Sequence, residues 1–371
     1  MPRGIETLTC LEVLDSYLVK NRRETISCSS GADSDGMIEL ANLNSLRELW
    51  IFNLEFVRGR IDAERGKLKD KINLRYLCLR WGSIFDNDDD VQMVLEVLEP
   101  NVNLTKLEVQ YFPGLKFPKW MGSSTCLPNL VEIILCGCIG CEKLPALGLL
   151  PCLRVLETWK MRSVKCLGDE FYYQQEEEEE RIRSYNNPEN ATTTISLFPS
   201  LIRLKLLMEN LEEWVAPQLP IYSSFPSLEK LEISCFRKLR STPNLFHCLK
   251  ELQLCDTNSK AVTSFFATGG RLTSLISVDI SHSPELIYIP VGVLLQSVTP
   301  NLQQLSIKYC SSFQGFLEED DLKNYYDNKD GDHEDDFEST QSFSCPKINS
   351  KFNNISNSLL SLNLRKCYMT S

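Results

Sequence analysis

Alanine is scarce in this chain, with 8 residues in 371 against 55 leucines. Alanine is the best helix former, so a chain this poor in it is not a helical bundle. Histidine is scarcer still: His247, His282 and His333 lie far apart, and none sits in a nucleophile motif. The patterns G-x-S-x-G and H-E-x-x-H are absent, and so is the G-x-x-x-x-G-K-(S/T) loop that cradles phosphates. Nothing supports an enzyme, and no catalytic residue or cofactor is expected. Long apolar runs are missing too. The longest, Leu286–Leu295, has about half the length that a bilayer span needs. Met1 to Gly4 is followed by a mixed polar run, not by the apolar stretch of a secretory leader. Glycine and proline stand at an ordinary 17 each, which excludes collagen-like and low-complexity classes. Cysteine is not lacking. Its 15 copies are odd in number and scattered from Cys10 to Cys367, which reads as reduced thiols in a cytoplasmic chain.

A net charge of −11 speaks against a nucleic-acid partner, but its distribution matters more. Residues 169–183 carry −5 and residues 318–338 carry −9, which leaves the rest of the chain at +3. The scaffold is therefore near neutral, and two inserts hold the acidity. These are expected as solvated loops of like charge, at 172–196 and 318–345.

What the chain does have is a repeat. The pattern L-x-x-L-x-L, with Ile or Val allowed, recurs from a degenerate copy at Leu11/Leu14/Ser16 to Leu359/Leu362/Leu364. Twelve copies are separated by 35, 28, 30, 26, 23, 48, 27, 21, 26, 27 and 57 residues. Most intervals lie in or near the range of a leucine-rich repeat, and the two long ones contain the acidic stretches. A weak further copy could lie at 343–348. In each copy the central L-x-L is a short strand with two apolar side chains inward and the middle one outward. One repeat cannot bury its own face, so neighbours stack over a shared core. The expected fold is therefore α/β, a leucine-rich-repeat solenoid over residues 1–371. It is a horseshoe with a concave parallel sheet and an irregular, short-helix convex side. Asp88–Glu99 is the best helix candidate, with Val91, Val94, Leu95 and Leu98 at helical spacing and Pro100 behind it. Repeats of 21 and 23 residues have no room for a helix.

Three residues past the last Leu, such repeats place an inward Asn or Cys. Cys138, Cys310 and Cys367 sit at that offset and are expected as buried structural thiols. Cys136-x-Cys138-x-x-Cys141 has no fourth ligand at zinc spacing. Asp86-x-Asp88-x-Asp90 carries Val91 where a calcium loop requires Gly. No metal site is expected.

Several segments go beyond a generic repeat. Gly4-Ile5-Glu6-Thr7-Leu8-Thr9-Cys10-Leu11 resembles the G-I-x-x-L-T-x-L run of plant coiled-coil, nucleotide-binding, leucine-rich-repeat resistance proteins. Gly114–Gly122, with Phe117-Pro118-Lys119-Trp120-Met121, resembles their G-x-x-F-P-x-W-(L/M)-G segment. Leu144-Pro145-Ala146-Leu147-Gly148 and Val164–Tyr172, which ends Gly168-Asp169-Glu170-Phe171-Tyr172, are similar to two more family segments. Phe198-Pro199-Ser200-Leu201 and Phe225-Pro226-Ser227-Leu228 match the family's F-P-S-L. The resemblance implies a protein-recognition and autoregulatory module acting in plant defence. Its partners would be a pathogen effector or guarded host protein and the upstream nucleotide-binding domain of the same receptor. Without a phosphate-binding loop, the chain reads as the repeat portion alone: a fragment, a truncated gene product or a repeat-only relative. As a fragment it would self-associate when expressed alone.

Outward strand positions supply the candidate interface: Trp50, Phe52, Tyr76, Arg80, Lys106, Glu108, Glu157, Trp159, Arg203, Lys205, Lys230 and Lys308. Aromatics mixed with Arg are the composition of binding hot spots. The alternative is a stand-alone interaction scaffold, such as a ubiquitin-ligase adaptor or an extracellular receptor ectodomain.

Overall fold

The structure, a computed structural model, describes residues 4–20, 37–82, 89–173, 195–217, 222–240, 242–243, 246–266, 272–290, 299–317 and 359–367. The chain forms two compact units, residues 1–228 and 229–371.

In the first unit seven parallel strands pair in chain order: Val13–Leu18, Glu48–Phe52, Tyr76–Arg80, Lys106–Gln110, Glu132–Cys136, Val155–Trp159 and Arg203–Leu207. The register aligns the repeats leucine to leucine. Leu49, Leu77, Leu107, Ile133, Leu156 and Leu204 form one row, each 0% exposed. Ile51, Leu79, Val109, Leu135, Thr158 and Leu206 form the next, equally buried. Alternating burial follows from the period of two, and stacking the rows makes one core. The second unit repeats the plan with Lys230–Ser234, Glu251–Cys255, Ser277–Ser281, Gln304–Lys308 and Ser361–Arg365. All twelve copies of the pattern carry a strand.

The degenerate first copy needs a correction. Its second inward residue is Tyr17, not Ser16, because a bulge shifts the register between Leu14 and Tyr17. The extra residue swings the buried phenol inward to pair with Ile51.

Adjacent repeats are also tied by polar side chains. Just before the first Leu of a copy, Asn73, Asn103, Asn129, Ser200, Ser227 and Asn301 each donate to a carbonyl of the preceding repeat. The acceptors are Asn44, Ile72, Val102, Pro151, Pro199 and Thr273, at 2.7–3.0 Å. Every acceptor stands two residues before its own copy's first Leu, so the bond recurs with the repeat. This explains the Ser of F-P-S-L physically.

Helices of six to nine residues occupy three of the connections. Asp89–Val97 lies where a helix was expected, while Asp88 is outside the described residues. Gly59–Glu64 fills a 28-residue interval. Ser259–Phe266 was not anticipated in its 26-residue interval. There Asn258 accepts the Lys260 N–H at 2.7 Å, a helix-start bond, and Ala261, Val262, Phe265 and Phe266 are buried.

At the first insert, Tyr172 and Tyr173 are buried beside the short helix Asp169–Tyr172, and Ile195–Leu197 pairs with Tyr222–Ser224. The ends of the 172–196 stretch thus belong to the fold, and residues 174–194 lie outside the described residues. The 318–345 insert and the candidate copy at 343–348 also lie outside them. Gln304–Lys308 pairs directly with Ser361–Arg365, so no further strand stands between those two.

Candidate protein-binding face

On the first unit the outward side chains stand in three columns, because parallel pairing puts equivalent positions side by side. Trp50, Cys78, Glu108, Ile134, Glu157 and Lys205 make the middle column. Glu48, Tyr76, Lys106, Glu132, Val155 and Arg203 flank it on one side. On the other side lie Phe52, Arg80, Gln110, Cys136, Trp159 and Leu207. Four cations face four carboxylates here, so the face carries no net charge.

The columns are knitted together. Trp50 meets Tyr76 edge-on with ring centroids 4.5 Å apart. The Lys106 ammonium lies 4.9 Å from the Tyr76 ring centre and pairs with Glu132 at 2.9 Å. The Tyr76 hydroxyl donates to Glu108 at 2.6 Å, and partial burial with that bond raises its pKa, so it stays a donor. The Arg80 guanidinium sits between Phe52 and Tyr111, 5.5 and 5.3 Å from their ring centres. Lys205 lies 4.1 Å over Trp159, and Arg203 reaches Glu157 at 4.0 Å. Such cation–aromatic contacts hold long side chains in fixed positions before any partner arrives.

Of the twelve candidates, Arg80 is exposed and the other eleven are half-buried, since strand neighbours cover each other's flanks. Ten share the first unit's sheet. Lys230 and Lys308 belong to the second unit, where Lys230 pairs with Glu232 and Glu251 at 3.3 Å and Lys308 with Asp279 at 2.7 Å. Four half-buried apolar members of the face, Ile134, Cys136, Val155 and Leu207, were missed, while Cys78 holds an outward position but is buried beneath its neighbours. The signal was their outward strand position, masked by residue types that usually mean core.

A second regularity follows the strands. Asn53, Tyr111, Lys160, Cys235, Asp256, His282, Tyr309 and Lys366 each come directly after a strand and have φ between 52° and 66°. Gly137 does the same at 67°. The left-handed turn ends nine of the twelve repeat strands and sets the side chains along one edge: His282 stacks on Tyr309 at 4.8 Å, and Lys366 lies 5.1 Å from the Tyr309 ring centre.

A family described as R13L1/DRL21 LRRs matches residues 37–161. Disease resistance protein RGA2 of Solanum bulbocastanum is 30% identical over 273 residues, covering 70% of this chain and 24% of that protein. RGA1 of the same species is 29% identical over 287 residues, 65% of this chain and 28% of that protein. Disease resistance RPP13-like protein 4 of Arabidopsis thaliana is 32% identical over 142 residues, 36% of this chain and 15% of that one. The chain belongs with the leucine-rich-repeat regions of plant disease resistance proteins. It spans about a quarter of the length of the two Solanum relatives.

Among resistance-protein repeats, the distinctive segments of this one turn out to be packing devices. Phe171, Tyr172, Phe198, Phe225 and Trp214 form one buried aromatic cluster, with Phe198 stacked on Phe225 at 4.8 Å. The Tyr172 hydroxyl accepts from Trp214 Nε1 at 3.1 Å and donates to the Val215 carbonyl at 3.0 Å. Trp120 of the F-P-K-W-M segment donates to the Leu95 carbonyl at 3.2 Å.

The repeat-position thiols are bonded within the scaffold. Cys138 and Cys310 are buried, with burial raising their thiols to about 12 and about 11, and Cys367 is half-buried. Cys138 and Cys367 reach the carbonyls of Val109 and Ile307 in the preceding repeat, at 3.7 and 3.5 Å. Cys141 reaches the Gly114 carbonyl at 3.2 Å. Among the described residues no group of three or more His, Cys, Asp or Glu is placed to hold a metal ion. No helix among them is long and apolar enough to cross a membrane.

Proposed function

We propose that this chain is the protein-recognition and autoregulatory module of a plant intracellular immune receptor, working in the cytoplasm. Its partners are a pathogen effector or guarded host protein and the nucleotide-binding domain of the same receptor. The observation that carries this reading is the columned face of the first unit, where Trp50, Tyr76, Arg80 and Trp159 are held by their neighbours. The names of RGA2 and the RPP13-like relative supply the defence context. Nothing in the 371 residues resembles a catalytic motif or a phosphate-binding loop, so recognition without catalysis is the proposed role.

The test is capture from infected leaf tissue by the tagged chain. Wild type is compared with the Trp50→Ala/Tyr76→Ala and Arg80→Ala/Trp159→Ala pairs and with Arg60→Ala/Lys67→Ala on the opposite side. Partners lost by both face pairs and kept by the control, with unchanged circular dichroism, support the reading. Partners held equally by all variants would remove the face from it.

A further inference from the structure

The second unit carries a cleft of about 690 Å³ that lies off the sheet face, beyond the ends at which the chain leaves its strands. Its walls come from four successive connections, so stacked repeats build it and no single loop does. Lys238, Arg240 and Lys260 line it against one acid, Glu285, with the hydroxyls of Ser311 and Ser312 on the far wall. The three cations are exposed at the surface. The helix Ser259–Phe266 begins at this cleft, which adds the positive end of its dipole.

Two features decide what such a cleft accepts. Its volume falls in the range of sites that hold drug-sized ligands, enough for several side chains and far more than one small anion fills. Its lining of three cations, one carboxylate and hydroxyls supplies donors for carboxylates spaced along a chain. We infer that this cleft is a docking site for a carboxylate-rich peptide segment of a protein partner. The site is separate from the columned face of the first unit and does not depend on its role. Lysine and arginine at a rim act mainly through charge, so binding is strongly salt-dependent.

The experiment uses the full chain and a fluorescein-labelled dodecapeptide of alternating Glu and Ser, followed by anisotropy at 50 mM and 300 mM NaCl. A second preparation lacks residues 318–338, so that the chain's own acidic run cannot compete. The expected result is saturable binding in at least one preparation, weakened tenfold or more by Lys238→Glu/Arg240→Glu/Lys260→Glu and by the higher salt. The charge reversal Lys67→Glu/Lys69→Glu on the first unit should leave it unchanged. Absence of saturable binding in both preparations overturns the proposal, and so does equal affinity in the triple variant. Displacement of the peptide by millimolar inorganic phosphate, but not by the same concentration of unlabelled peptide, overturns it in favour of a simple anion site.

Discussion

Lys71 is fully buried, an expensive place for a charge, and its ammonium donates to the carbonyls of Leu40 and Leu43 at 2.6 and 3.2 Å. Both acceptors belong to the preceding repeat, so the side chain joins two turns of the solenoid from inside. Desolvation lowers the Lys71 pKa from 10.5 to about 8. The folded state therefore binds fewer protons than the unfolded state between those values, and the contribution of this group to stability rises with pH across the window. It is lost again as pH falls toward 8, a swing of about 3 kcal/mol at most. Urea unfolding of wild type and Lys71→Met at pH 7.5 and pH 9.5 should show wild type gaining on the variant at the higher pH. A constant difference would mean that the amine keeps its ordinary affinity for protons. Thr158 presents the opposite case: it takes an inward strand position with a buried hydroxyl that finds no partner. Thr158→Val keeps the shape and removes the orphan, so it should raise stability by about 1 kcal/mol in the same assay.

At the scale of elements, close approach of backbones explains sequence features that no single residue does. Gly148 lies against the carbonyl end of the helix Asp169–Tyr172: the Leu147 N–H donates to Phe171 at 3.2 Å, and a Cβ on Gly148 would overlap the Tyr172 carbonyl. Gly148→Ala should therefore push this helix off the aromatic cluster and cost about 1–3 kcal/mol, visible as a lower thermal midpoint and a changed near-ultraviolet spectrum. The bonds before each first Leu are weaker but numerous. Asn129→Ala or Ser227→Ala should each cost about 1 kcal/mol, and the double change should be additive, because the two ties hold different pairs of repeats.

At the scale of the whole molecule, each repeat touches mainly its neighbours, so inserts between strands that pair directly are tolerated. Gln304–Lys308 and Ser361–Arg365 already pair through five residues in register. Deleting residues 318–345 should leave far-ultraviolet circular dichroism and the melting profile nearly unchanged. A deletion of 172–196 should not be silent, because it removes Tyr172, Tyr173 and the strand partner of Tyr222–Ser224. Confining that deletion to 176–192 keeps those groups and should restore the wild-type melt.

The sequence by itself determined the class of fold, the twelve repeat strands, the inward leucines and the family. Each of these depends on a local period of two within a strand and on a repeat that recurs along the chain, and both can be counted. The tertiary structure decided what depends on two repeats meeting. Ser16 gave way to Tyr17 because the bulge is set by pairing with Ile51, not by the pattern around Leu14. Ile134, Cys136 and Leu207 joined the candidate face because parallel register, not hydrophobicity, fixes which side a residue takes. The Lys71 bonds, the Asn and Ser ties and the walls of the cationic cleft all join segments 18 or more positions apart. A local pattern cannot encode such contacts, since they exist only once stacking has brought one turn of the chain against the next.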